Sequence, residues 1–195
     1  TSCSFISYSQ VIPALKTSIF GVPDQRITKE IFDSIEYSFI KVKYGKTSIA
    51  ILPLAGINND VYKWVSKSNE VLYTLKGKII KAENSTFDFS ILNASQFILD
   101  QDHNDEIFNF NLILEDPFAV IEQTSYISKI EEGDYNNELI ASNIAHYYEE
   151  KVVTNGFKWK FINKYWTDER ANVVRSIQSV HPNASDLEIE FYYKY

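Results

Sequence analysis

Along the chain the spacing of apolar positions changes period once. Phe5, Tyr8, Ile12, Leu15 and Ile19 recur at three- and four-residue steps, which places them on one face of a helix. Ser9 can cap a helix with Pro13 in its first turn, where a missing N–H is tolerated. A helix from Ser4 kinked at Pro13 fits the same stripe, and Gly21-Val22-Pro23 ends either one. Beyond it, apolar and polar residues alternate. Tyr37 to Tyr44 turns at Gly45-Lys46 into Ser48 to Leu52, the pattern of a hairpin. Val61 to Val65, Val71 to Leu75, Ile79-Ile80, Phe87 to Ile91 and Phe108 to Leu114 continue the series. Later strands are predicted at 118–130, 139–153, 157–166, 172–180 and 187–194. Within these, 139–149 also suits a helix face through Leu139, Ala141, Ile144, Ala145 and Tyr148. Short strands with short polar turns imply an antiparallel meander, because parallel strands need crossover helices. The expected fold is mainly β and antiparallel, with one N-terminal helix.

Length and charge narrow the partners. A chain of 195 residues suits one domain with a substantial core. A net charge of −7 argues against nucleic acid, whose binding draws on clustered Lys and Arg. It also disfavours electrostatic adhesion to anionic lipid. No apolar run approaches the roughly 20 residues of a spanning helix. No segment has the composition of a linker, and no repeat of solenoid type is present.

Cys3 is the single cysteine. Thr1-Ser2-Cys3 looks like the end of the box at which bacterial lipoprotein signal peptides are cleaved and the cysteine acylated. Methionine is absent, so Thr1 is not an encoded start and an upstream segment is expected. A lone cysteine can form no internal disulfide. The expected division is therefore an anchor with its box remnant at residues 1–4 and a single β-rich domain at 5–195. The expected membrane attachment is covalent, through a lipid on Cys3. The helix stripe is expected to pack on the domain rather than lie in lipid, since Lys16 is its basic residue.

Candidate chemistry is sparse. His103, His146 and His181 lack the spacing of zinc ligands and are expected to be surface or satisfied histidines. Asp100, Asp102 and Asn104 begin like a calcium loop, but Asp105 stands where glycine is needed and Asn111 where a bidentate glutamate belongs. Glu131-Glu132 and Glu149-Glu150 are sequence neighbours, which point to opposite faces of a strand and make no glycosidase pair. No nucleophile elbow or phosphate loop occurs. No cofactor, no metal site and no catalytic residue is expected. Trp64, Trp159, Tyr165, Trp166 and the tail from Phe191 can stack on sugar rings. The same residues suit cross-strand packing in a β core. Trp64, Tyr165 and Trp166 are the candidate contacts for a glycan or a partner. The sequons at Asn84, Asn93 and Asn183 carry little meaning in a bacterial lipoprotein.

With the cysteine at its front, the chain resembles the capsule and exopolysaccharide-production lipoproteins of the GfcB/YjbF type. The run Tyr8 to Phe20 resembles the family's opening helix, with Ile19-Phe20 at its end, and Glu36-Tyr37-Ser38 its entry to the first strand. Trp64-Val65-Ser66 is similar to a Trp-apolar-Ser motif, and Gly77-Lys78-Ile79-Ile80-Lys81 to a Gly-Arg hairpin. Tyr165-Trp166-Thr167-Asp168 with Val174-Arg175-Ser176-Ile177-Gln178 resembles a Trp-Val-Asp … Val-Arg-x-Ser-x-Gln hairpin. Glu36 replaces a frequent proline, Ala82-Glu83-Asn84 a Thr-x-Gly-Leu, and about residues 93–145 match nothing. The resemblance implies a non-enzymatic lipoprotein of the Gram-negative outer membrane, facing the periplasm. Its partners would be polysaccharide-secretion proteins, and a glycan where the aromatics reach one. Ser4 after the cysteine fits outer-membrane sorting. The implied fold is a curved sheet or half-barrel with the helix against it, similar to lipoprotein carriers. The alternative reading is a carrier whose concave face holds a lipid or lipid-linked glycan.

Overall fold

The computed structural model describes residues 26–45, 48–99, 106–130, 144–156 and 158–194. Twelve strands alternate in direction: β1 (Phe39–Tyr44), β2 (Ser48–Asn58), β3 (Val61–Val65), β4 (Val71–Leu75), β5 (Lys78–Glu83), β6 (Phe89–Leu92), β7 (Glu106–Glu115), β8 (Phe118–Ile130), β9 (His146–Thr154), β10 (Lys160–Thr167), β11 (Val173–Gln178) and β12 (Leu187–Tyr192). Each pairs antiparallel with its neighbours in sequence, as the short connections require. β12 also pairs with β1 over six positions, from Phe39 opposite Tyr192 to Tyr44 opposite Leu187. The sheet is thus a closed barrel, not the expected half-barrel. An open half-barrel would leave two edges of unpaired N–H and C=O groups, and closure removes both.

Alternation sorts the wall. Ile40 and Val42 of β1 point inward and meet Ile189 and Phe191 of β12 in a continuous core with Leu52, Trp64 and Leu112. Phe97 and Leu99, carried by the connection after β6, join the same core. The opposite face of β1 carries Lys41 and Lys43 after Phe39, and Lys41 lies 3.5 Å from Glu190. Arg175 pairs with Glu188, and Lys81 with Glu83, as cross-strand or same-strand neighbours outside. These charges would interrupt the outward apolar band of a transmembrane barrel, although Ile107, Phe118, Val120, Tyr126 and Ile162 are exposed on β7, β8 and β10.

One apolar patch on the outer wall is covered. Phe39, Ile51, Trp166, Val174 and Tyr192 form a second cluster with Ile27 and Ile35, and Ile31 and Phe32 pack against it from α1 (Lys29–Ser34). Thr28 caps α1 by accepting from the Ile31 N–H. Lys194 closes the arrangement, with its Nζ donating to the Phe32 carbonyl at 2.7 Å. The helix expected within the first twenty residues lies outside the described residues, and α1, a short element, was not foreseen. Over 146–149, the strand reading of the ambiguous segment is correct, with ladders to β8 and β10 on its two sides.

Candidate functional site

Two features of the interior have the composition of a site. The first is a buried polar cluster. Lys78 begins β5 after a two-residue turn in which Lys76 and Gly77 both have positive φ (48° and 79°), the geometry that favours glycine in tight hairpins. Its Nζ donates to both oxygens of Glu150, at 2.6 and 2.8 Å. Ser125 Oγ donates to the same carboxylate at 2.7 Å, and Asn163 Nδ2 and Tyr165 OH each at 2.8 Å. Gln178 ties this group to the turn, because its Nε2 donates to the Gly77 carbonyl at 2.8 Å and its Oε1 accepts from the Ile79 N–H at 2.9 Å.

Burial alone would raise the Glu150 carboxyl. The Lys78 ammonium and the donors around it outweigh that, and the carboxyl titrates below its ordinary range. Burial, with the Glu150 charge beside it, pushes the Tyr165 hydroxyl well above its ordinary value. Glu150 is 0 % exposed and both its oxygens are occupied. The void that its partners Lys78 and Asn163 line measures about 10 Å³, room for no more than one water. A carboxylate so enclosed has no lone pair to spare and no path to a substrate. The cluster holds five strands, β5 and β8 to β11, in one register.

The second feature is open. At the barrel end where odd strands turn into even ones lies a recess of about 450 Å³. Inward side chains of Val42, Leu52, Leu72, Ala82, Phe89 and Leu187 form its walls. Ser66, Ser68, Glu70, Ser85 and Thr86 stand at its rim, on the β3–β4 and β5–β6 connections. Ser66 Oγ organises the first of these, accepting from the Ser68 and Glu70 N–H groups and donating to the Glu70 carboxylate at 3.0 Å. His181 stacks on Phe87 with ring centres 4.3 Å apart, and its Nδ1 accepts from the Asn183 N–H. Burial lowers the pKa of His181, so its neutral form is favoured here. Val180 borders both the recess and the void beside the polar cluster, so the two features are neighbours.

The aromatic candidates are placed as follows. Trp64 and Tyr165 are 0 % exposed, inside the barrel, and Trp64 Nε1 donates to Thr74 Oγ1 at 2.8 Å. Trp166 is 3 % exposed, on the outer wall beneath the α1 region, with Arg175 over its ring. As placed, none of the three offers a ring face to a glycan. Cys3, His103, the acidic run 100–105 and Glu131-Glu132 lie outside the described residues. His146 is half-buried at the start of β9, and burial together with Lys129 lowers its pKa. Glu149 and Glu150 do face opposite ways, with Glu149 accepting from Tyr147 OH and Glu150 inside. Among the described residues, no three His, Cys, Asp or Glu side chains gather in a way that could hold a metal.

Sequence reasoning singled out neither Glu150 nor Ser125 nor Asn163 as members of a cluster. The segments that carried the family resemblance did contain Gly77, Lys78, Tyr165, Ser176 and Gln178. In the structure these converge, and Asp168 from the same motif accepts from the N–H groups of Arg170 and Asn172 to form the β10–β11 turn. The motif residues build the barrel.

Residues 12–103 and 128–192 match the family described as group 4 capsule polysaccharide lipoprotein GfcB, YjbF. The chain belongs to this family. It is a family of lipoproteins, which places the chain among proteins held by lipid at a membrane of the cell envelope. A solved structure, the hypothetical lipoprotein YmcC from Escherichia coli (K12), superposes with a TM-score of 0.74 over 88% of this chain and 91% of that one. At 17% identity the likeness concerns the fold alone. Among curated proteins, none matches the chain.

Proposed function

We propose that this GfcB/YjbF-family protein is anchored to the periplasmic face of the outer membrane through a lipid on Cys3, and that it supports production or export of a capsule or exopolysaccharide without catalysing a reaction. The observation that carries the reading is the family match across both halves of the barrel. The charged outer wall fits a domain that sits in water and is held by a lipid. The enclosed Glu150 fits a structural rather than a chemical role. The working contacts are with polysaccharide-secretion proteins, and they fall on surfaces other than the buried Trp64, Tyr165 and Trp166.

The test is surface polysaccharide per cell in a strain lacking the gene, rescued by wild type or by Cys3→Ala exported through a cleavable signal. The deletion is expected to lose surface polysaccharide and wild type to restore it, with folded periplasmic Cys3→Ala failing. Unchanged polysaccharide in the deletion strain would contradict the assignment.

A further inference from the structure

We propose that the recess at the odd-to-even end of the barrel is a binding site for a linear acyl chain, the hydrocarbon tail inside and its polar head at the rim. This goes beyond the polysaccharide reading and stands or falls independently of it. Four observations carry it. The recess volume, about 450 Å³, lies within the range of roughly 300–1,000 Å³ common to small-ligand sites. Its walls are mostly inward positions of strands from the barrel's first half and of β12, aliphatic apart from Tyr44 and Phe89, with Phe87 on the β5–β6 connection. Hydroxyls and charges are confined to the rim, at Ser66, Lys67, Ser68, Glu70, Ser85 and Thr86. Neither Lys78, Glu150 nor Phe97 lines it, and Val180 is shared with the small void beside the polar cluster, so the recess adjoins that cluster without including it.

That distribution selects the ligand class. A sugar needs hydrogen-bond partners along its whole length and an aromatic face to stack on. Here Trp64 is enclosed, Phe89 is 1 % exposed and Phe87 is already stacked on His181, which leaves Tyr44 at the end of β1 as the one further aromatic of the lining. A flexible hydrocarbon chain needs only apolar walls, and the polar head it carries needs water and hydroxyls where it emerges. The burial of apolar surface drives entry, and the rim sets the orientation.

The acyl chain can belong to a separate lipid or to the protein's own anchor. The assay is titration of the full chain carrying Cys3→Ser with the fluorescent fatty acid cis-parinaric acid, with palmitate as competitor. Saturable one-to-one binding displaced by palmitate is expected. Ala50→Trp, which projects an indole into the recess from β2, and Leu187→Trp, which does so from β12, should each weaken binding at least tenfold while far-ultraviolet circular dichroism is unchanged. Phe118→Ser, at a position 75% exposed outside the recess, should leave it unaltered. Coupling palmitoyl-maleimide to Cys3 of the wild-type sequence separates the sources: lost parinarate binding assigns the site to the anchor, retained binding to a separate lipid. No saturable binding by the Cys3→Ser chain, or binding lost in Phe118→Ser and kept in both tryptophan variants, would overturn the proposal.

Discussion

Glu150 shows how much a single interior residue can carry. It accepts from Lys78, Ser125, Asn163 and Tyr165, residues contributed by three strands other than its own. Removing its charge strands the buried ammonium of Lys78, and breaking such a pair costs about 3–5 kcal/mol. Glu150→Gln should therefore unfold at markedly lower denaturant concentration than wild type. The pH dependence has a definite sign. The folded-state pKa lies below the ordinary 4.5, so below that value the unfolded chain binds more protons than the folded one. The contribution is complete above about pH 4.5 and fades as pH falls through the depressed folded value. Tm against pH should fall more steeply on the acid side for wild type than for Glu150→Gln. Gly77 is a second such residue. A Cβ there would run into the Val173 side chain, and its φ is +79°. Gly77→Ala should cost more than about 1 kcal/mol by chemical denaturation. The sequence made Gly77 visible as a turn, since a glycine between two alternating runs has a local meaning. It hid the cluster, because Lys78 and Glu150 are 72 positions apart and neither position carries a local sign of its partner. Alternation says that Glu149 and Glu150 point opposite ways but not which one is inside.

Among the elements, β1 and β12 decide the architecture. Their pairing joins the first and last strands of the barrel, Val42 opposite Ile189 among them. Ile189 is also opposite Ser176 of β11, so its backbone is engaged within the sheet rather than at an edge. A proline there removes a ladder N–H where no edge can absorb the loss. Ile189→Pro should abolish cooperative unfolding and near-ultraviolet dichroism, whereas Ile162→Pro, nearer the start of β10, should be milder. β3 and β4 have the bounds that the runs Val61 to Val65 and Val71 to Leu75 predicted, set off by the polar connection between them. β8 has its expected bounds, 118–130, and β7 and β11 differ only at their ends. Closure was not legible. Whether twelve strands form a curved sheet or a barrel depends on tilt and stagger summed around the wall, which no local pattern encodes. α1 was missed because six residues give too little periodicity to recognise.

At the scale of the molecule, the distribution of charge decides how the barrel meets a membrane. Interior positions are apolar around one polar cluster, and the outer wall carries the pairs Lys41–Glu190, Lys81–Glu83 and Arg175–Glu188. Inserting such a wall into hydrocarbon would cost about 2–4 kcal/mol for each Lys or Arg near the midplane. The proposed lipid on Cys3, rather than the wall, is then what holds the domain at a membrane. The most direct measurement is the distribution of wild type and Cys3→Ala between separated outer-membrane and soluble periplasmic fractions, with mass spectrometry of the N-terminal peptide. Wild type is predicted in the outer membrane with an acylated Cys3, and Cys3→Ala in the soluble fraction as a folded barrel. Cys3→Ala remaining in the outer membrane after carbonate washing would mean that the wall itself inserts, and would contradict the account.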